Sequence, residues 1–99
     1  MNDISTNSII VRRDTVIGND LSETETVMLD IDRGTYFGVK DVGKAIWDQL
    51  TVPCTFDDVC TTLRQQYDVD DETCRREVAD FISYLVERGL VDVHTEESA

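Results

Sequence analysis

The apolar positions of this chain change their period about halfway along, and the change separates two kinds of element. From Glu25 to Ile31 they alternate. Val27, Leu29 and Ile31 share one side, and Thr26, Met28 and Asp30 the other, which is the period of a half-buried strand. Asp32-Arg33-Gly34 offers a short turn, and Thr35-Tyr36-Phe37-Gly38-Val39 resumes β-rich composition. Two such runs about a short glycine-containing loop predict a hairpin. Upstream, Ile9-Ile10-Val11 predicts a further short strand within Ser8 to Arg13, and Gly18-Asn19-Asp20 has the chemistry of a turn.

After Val39 the spacing becomes helical. Val42, Ile46, Trp47 and Leu50 mark a first helix that Pro53 ends. Thr55, with Asp58 three residues on, resembles a capping box and starts a second helix. Its apolar stripe is Phe56, Val59, Cys60, Leu63 and Tyr67. Asp70 can cap a third, with Asp71 and Glu72 in the turn where the helix dipole favours acids. Cys74, Val78, Phe81 and Leu85 form its main stripe. Arg88-Gly89 is a stop signal, with Leu90 placed for the apolar contact of a glycine cap, and Leu90-Val91-Asp92-Val93 predicts a last short strand. The fold class is therefore α+β, three strands followed by three helices, in the manner of a winged helix-turn-helix. Ninety-nine residues make one domain. Residues 9–94 carry it, with polar, disordered ends at 1–8 and 95–99.

Composition narrows the functions. Forty per cent apolar residues suit a globular chain. No apolar run is long enough to span a membrane, and the first residues lack the basic and apolar regions of a signal peptide. Both point to the cytoplasm. The net charge of -12, from 21 acids and 9 bases, repels nucleic-acid phosphates and anionic lipid and favours a neutral or basic partner. Three cysteines without a secretion signal, Cys54, Cys60 and Cys74, are free thiols of a reducing compartment, and Cys60 and Cys74 fall on apolar helix faces as small core residues.

Chemistry is hard to find. The lone histidine, His94, lies near the C-terminal end, so no thiol or hydroxyl has a base placed beside it. No Cys-x-x-Cys is present and the ligand count for a zinc site is not reached. Phosphate-binding glycine motifs are missing, and Asp20-Leu21-Ser22 is neither the order nor the place of a carrier-protein serine. The sequence thus predicts no catalytic residue, no metal and no cofactor. A winged helix suggests DNA, but residues 71–88 set five acids against three arginines, the wrong sign for a recognition helix.

One set of residues carries a resemblance. Val27-Met28-Leu29-Asp30, Gly34-Thr35-Tyr36-Phe37-Gly38-Val39, Val42-Gly43, Ile46-Trp47, Tyr67-Asp68-Val69-Asp70, Thr73-Cys74 and Leu85-Val86-Glu87-Arg88-Gly89-Leu90-Val91 follow in the order of the PqqD-like family, also called RiPP recognition elements. They span about two-thirds of the chain, and the likeness is greatest to the leader-binding proteins of lasso-peptide pathways. One departure is Lys40, where the family often has Asn or Asp to cap the first helix; Asp41 can cap one residue later. The resemblance implies three antiparallel strands packed on three helices. It also implies that the leader of a ribosomally made precursor peptide adds as a strand beside Thr35, Tyr36, Phe37, Gly38 and Val39, in a groove against the third helix.

On that helix a second stripe, Arg75, Ala79, Ile82 and Val86, flanks the first. It either lines the groove or widens the core face; the groove is the expectation taken forward. Gly38 either lets a second backbone approach or marks a bulge. Tyr36 and Phe37 face opposite sides, one to the core, and Trp47 belongs to the core. The partners implied are the precursor leader, a transglutaminase-like leader peptidase and an ATP-dependent cyclase, or a radical enzyme in a PqqD-proper pathway. The alternatives are an acidic winged-helix transcription regulator, and an enzyme subunit completed by a partner.

Overall fold

A computed structural model describes residues 7–95. Six strands and three helices follow in the order β1 (Ser8–Arg12), β2 (Val16–Asp20), β3 (Glu25–Asp30), β4 (Thr35–Lys40), α1 (Val42–Gln49), β5 (Cys54–Thr55), α2 (Phe56–Gln66), α3 (Asp71–Glu87) and β6 (Val91–Thr95). They form two three-stranded antiparallel sheets, β5-β1-β6 and β2-β3-β4. The α+β class and the three helices are as expected; β2 and β5 are additional to the four strand segments that the pattern marks. None of the helices among the described residues is long and apolar enough to cross a membrane. Of the ends expected to be disordered, 1–6 and 96–99 lie outside the described residues, whereas Ser8 and Thr95 pair in the last rung of β1 and β6. His94 is likewise inside β6, opposite Ile9.

The largest departure from expectation is β2. Gly18-Asn19-Asp20 is not a turn but the end of a strand paired with Thr26 to Met28. Trp47 packs closely on Gly18: a Cβ there would lie 3.2 Å from the indole Nε1, so a larger residue would require the indole to give by a few tenths of an ångström. The turn is instead at Arg13–Val16, closed by the Val16 N–H donating to the Arg13 carbonyl at 3.1 Å. It carries the chain from one sheet to the other.

The β3–β4 hairpin forms where predicted, with Asp30 opposite Thr35. Its buried side is the less apolar one. Thr26, Met28 and Asp30 face inward, while Leu29 and Ile31 are 41% and 56% exposed. Polar residues are tolerated inside because each is satisfied. Thr26 donates to Asp20 at 2.7 Å, and Asp30 accepts the backbone N–H of Asp32 and Arg33, which shapes the turn.

Helix starts and stops follow local chemistry. Thr55 accepts from the Asp58 N–H and Asp70 from the Thr73 N–H, both at 3.0 Å. At the end of α3, Gly89 takes φ 74°, the Leu90 N–H donates to the Leu85 carbonyl and the Gly89 N–H to that of Val86. This is a glycine-closed terminus with Leu90 fully buried against it. Asp41 does stand at the start of α1, but its side chain makes no capping bond and its φ is 56°. That short helix is held instead by burial of Ile46, Trp47 and Leu50, each no more than 2% exposed. Each such side chain contributes about 1.5–3 kcal/mol. Arg12 closes the core over Trp47, its guanidinium 4.1 Å from the ring centre and bonded to the Trp47 carbonyl. Val59, Cys60, Cys74, Val78, Ile82 and Leu85 fuse α2 to α3.

Candidate peptide-binding site

The sheet order β2-β3-β4 leaves β4 with one paired side, on β3, and one side without a strand among the described residues. An unpaired edge presents a row of N–H and C=O groups that a further strand can satisfy. Along β4 the side chains alternate. Phe37 and Val39 turn inward, half-buried and buried; Thr35, Tyr36, Gly38 and Lys40 are exposed, Tyr36 to 71%. A Cβ built on Gly38 meets nothing within 4 Å, so the outer face of the sheet is uncovered there. Its residues pair one to one with Thr26 to Met28 through this region, so Gly38 marks no bulge.

Beside this edge lies a depression of about 400 Å³ lined by Gly38, Val39, Lys40, Gly43, Phe81 and Tyr84. Gly43 matters for its shape: a Cβ there would come within 3.3 Å of the Phe81 ring. Phe81 and Tyr84 are stacked with ring centres 6.3 Å apart. One turn on, Arg88 lays its guanidinium 4.4 Å from the centre of the Tyr84 ring and 5.9 Å from that of Phe37. The groove therefore has an apolar floor, an aromatic wall on α3 and a cationic end.

The expected stripe on α3 is on the other flank of the helix. At 100° per residue, Phe81, Tyr84 and Arg88 fall to one side of the buried line Cys74, Val78, Ile82 and Leu85, and Arg75, Ala79 and Val86 to the other. Ile82, expected in the groove, is 0% exposed and belongs to the core; Phe81, expected in the core, is half-buried and lines the groove. Arg75 is bonded to Asp57 of α2 at 2.6 Å and to Asp71 at 3.2 Å, so it ties α2 to α3. Ala79 and Val86 pack against the core. Of the nine residues predicted for the site, Thr35, Tyr36, Phe37, Gly38 and Val39 lie together on the edge and the four on α3 do not join them. Lys40, Gly43, Phe81, Tyr84 and Arg88 were missed. An aromatic pair and an arginine at spacings of three and four on one face is the signal that could have found them.

A second apolar feature adjoins the edge. Ile17, Leu29 and Tyr36 are direct cross-strand partners on β2, β3 and β4 and are 52%, 41% and 71% exposed. They form a row across the outer face of the sheet that ends on the edge strand. A larger depression, about 590 Å³, lies elsewhere and is lined mainly by Glu23, Thr24, Asp41, Lys44, Asp48 and Tyr67. There Lys44 donates to Asp48 at 2.6 Å, a bond that holds its pKa above the ordinary lysine value. Burial, reinforced by Cys74, pushes the Cys60 thiol up to about 12, and burial also raises Cys54, which makes both poor nucleophiles.

The family model described as coenzyme PQQ synthesis protein D (PqqD) matches residues 25–91. A solved structure described as TbiB1 in complex with the TbiA(beta) leader peptide superposes with a TM-score of 0.80 at 28% identity, over 87% of this chain and 99% of that one. A second, described as lasso peptide synthetase B1 complexed with the leader peptide, gives 0.73 at 23% identity, over 84% and 96%, and supports the fold alone. Among curated proteins none matches.

Proposed function

Since the chain belongs to the PqqD family as a RiPP recognition element, we propose that it binds the leader segment of a ribosomally made precursor peptide by strand addition and presents it to modifying enzymes. The observation that carries this reading is the open edge of β4 lying over the groove between β4 and α3. A leader laid antiparallel or parallel to β4 satisfies its backbone groups there and alternates its side chains. One set enters the groove over Val39, Gly43 and Phe81; the other lies outside beside Tyr36. Backbone bonds give affinity and the groove gives specificity. About four such bonds contribute ~0.5–1.5 kcal/mol each, and one apolar anchor over Phe81 adds ~1.5–3 kcal/mol. Together these terms reach only about 3.5–9 kcal/mol before ordering costs, and a sub-micromolar Kd needs about 8 kcal/mol net, so the reading requires further side-chain anchors along the groove.

The sequence resemblance to the leader-binding proteins of lasso-peptide pathways, carried by the ordered residues from Val27 to Val91, favours a lasso precursor. The enzymes served are then a transglutaminase-like leader peptidase and an ATP-dependent cyclase, acting in the cytoplasm; a PqqD-proper pathway would put a radical enzyme in their place. Presentation needs a surface that an enzyme can reach while the leader is held. The Ile17–Leu29–Tyr36 row supports this, because a strand added to β4 would extend it by one residue. The chain itself acts by binding, and the chemistry resides in its partners.

The test begins with a search of the genes around this one for a short precursor frame and a transglutaminase-like peptidase, and uses the products found. The precursor's leader should bind with a sub-micromolar Kd, a labelled DNA duplex should not bind, and the chain should accelerate leader removal by the neighbouring peptidase. Tight DNA binding without leader binding would support a transcription regulator instead. Leader binding without any effect on processing would remove the presenting role.

A further inference from the structure

The groove carries a charge pattern that runs against the rest of the molecule. The chain has 21 acidic and 9 basic residues, and several of the bases are neutralised where they stand. Arg13, Lys44, Arg64 and Arg75 each lie within 3.4 Å of a carboxylate. Three others collect along the edge and groove. Arg88 rests on the Tyr84 and Phe37 rings and has no carboxylate at ion-pair distance among the described residues. Arg33 stands against it, donating to the Arg88 carbonyl at 3.3 Å. The carboxylate nearest Arg33, that of Asp30, is 3.9 Å away and already accepts two backbone N–H groups. Lys40 ends β4; Glu25 faces it across the ladder without reaching ion-pair distance. Glu87 and Asp80 are exposed on α3 and do not pair with Arg88.

A strand laid on β4 would cover the Arg88 end and strip its water. A desolvated cation without a partner is costly. A carboxylate offered at that point removes the cost and can engage the planar guanidinium through two N–H donors. A neutral or basic side chain there leaves the cation unmatched, so the arginine rejects as well as attracts. Spacing follows from β4 itself. Phe37 marks the Arg88 end and Val39 the floor beside Phe81, and these inward positions are two residues apart, ~6.6 Å along a strand.

Resting on the leader-binding reading, we propose that this groove selects leader segments carrying a carboxylate at the Arg88–Arg33 end, two residues from an apolar side chain seated over Phe81. Such an acid is chosen locally even though the protein as a whole repels acidic peptides.

The experiment is a selection of random twelve-residue peptides displayed against the intact chain. Recovered peptides are then synthesised with Glu, Gln or Lys at the acidic position and titrated against the wild type and Arg88→Gln, with circular dichroism as the check on folding. Peptides that shift the β4 amides should be enriched in Asp or Glu two residues from a large apolar residue. Replacing that Glu by Gln should weaken wild-type binding about tenfold, or ~1.4 kcal/mol, and change binding to Arg88→Gln by less than about twofold. Peptides that shift the β4 amides yet show no acidic enrichment, or that lose the same affinity to both proteins on Glu to Gln, overturn the selection rule and leave leader binding standing. Should no recovered peptide shift the β4 amides, both readings fall together. The Glu, Gln and Lys series on wild-type protein decides the charge preference even if Arg88→Gln does not fold.

Discussion

Two residues two positions apart on α3, Ile82 and Tyr84, should respond to substitution in opposite ways. Ile82 is 0% exposed among Val78, Leu85 and the α2 side chains. Truncating it to Ala should cost about 2–5 kcal/mol through lost burial and the cavity left. Asp at the same place adds an unpaired buried carboxyl, so the loss becomes comparable with the whole stability of a domain this size, about 5–15 kcal/mol. Burial raises the folded-state pKa of that introduced carboxyl above its unfolded value. What stability the variant keeps is therefore greatest below the unfolded carboxyl range and falls as pH rises through the folded pKa. Tyr84 is 36% exposed, on the groove side. Tyr84→Ala should change stability by under about 1 kcal/mol yet remove an aromatic wall contact worth ~1.5 kcal/mol or more to a bound peptide, weakening it at least about tenfold. Urea titration followed by circular dichroism measures the first quantity, and a leader titration the second. Native stability in Ile82→Asp, or undiminished leader affinity in Tyr84→Ala, would refute the placement of the two faces of α3.

Three further outcomes follow from the local chemistry. Thr55→Ala removes the bond from the Asp58 N–H and should cost about 1 kcal/mol, a fall in Tm of roughly 4–8 °C by calorimetry. Asp70 is held below the ordinary carboxylate pKa chiefly by the Thr73 N–H. Its contribution is present above the unfolded carboxyl pKa of about 4 and is lost as pH falls through the lower folded value. The stability gap between wild type and Asp70→Asn should accordingly be steady near neutrality and shrink on acidification. Cys60 and Cys74 are buried, and Cys60 has its thiol pushed up to about 12; alkylation at pH 8 followed by mass spectrometry should modify half-buried Cys54 first and the other two only after denaturant is added.

Much of the fold was legible because local signals agreed with the final packing. The period change at Val39, the caps at Thr55 and Asp70 and the Arg88-Gly89 stop each act within a few residues, and the structure uses all of them. What was hidden depended on distant partners. Gly18 reads as turn punctuation until Trp47 is known to lie against it. The β3 strand reads with its apolar side inward, yet it buries Thr26 and Asp30 because Asp20 and the turn backbone satisfy them. The edge half of the candidate site was named only through the family resemblance; the alternation of residues 35–39 by itself marks a strand and not which of its sides stays unpaired. The helix half was not legible, because α3 is apolar over an arc that includes Phe81 and Ile82 alike. Only the position of α2, fixed in part by Arg75 and Asp57, decides which flank is covered.

Amide hydrogen exchange and chemical shifts, recorded by NMR on the intact chain with and without the leader peptide, address the central claim most directly. Strand addition to β4 predicts that amides between Thr35 and Lys40 on the side away from β3 gain protection when leader binds. It also predicts that shifts cluster on β4, Gly43, Phe81, Tyr84 and Arg88. Protection confined to α2, or shifts centred on Glu23, Asp48 and Tyr67 with β4 exchanging as before, would contradict it.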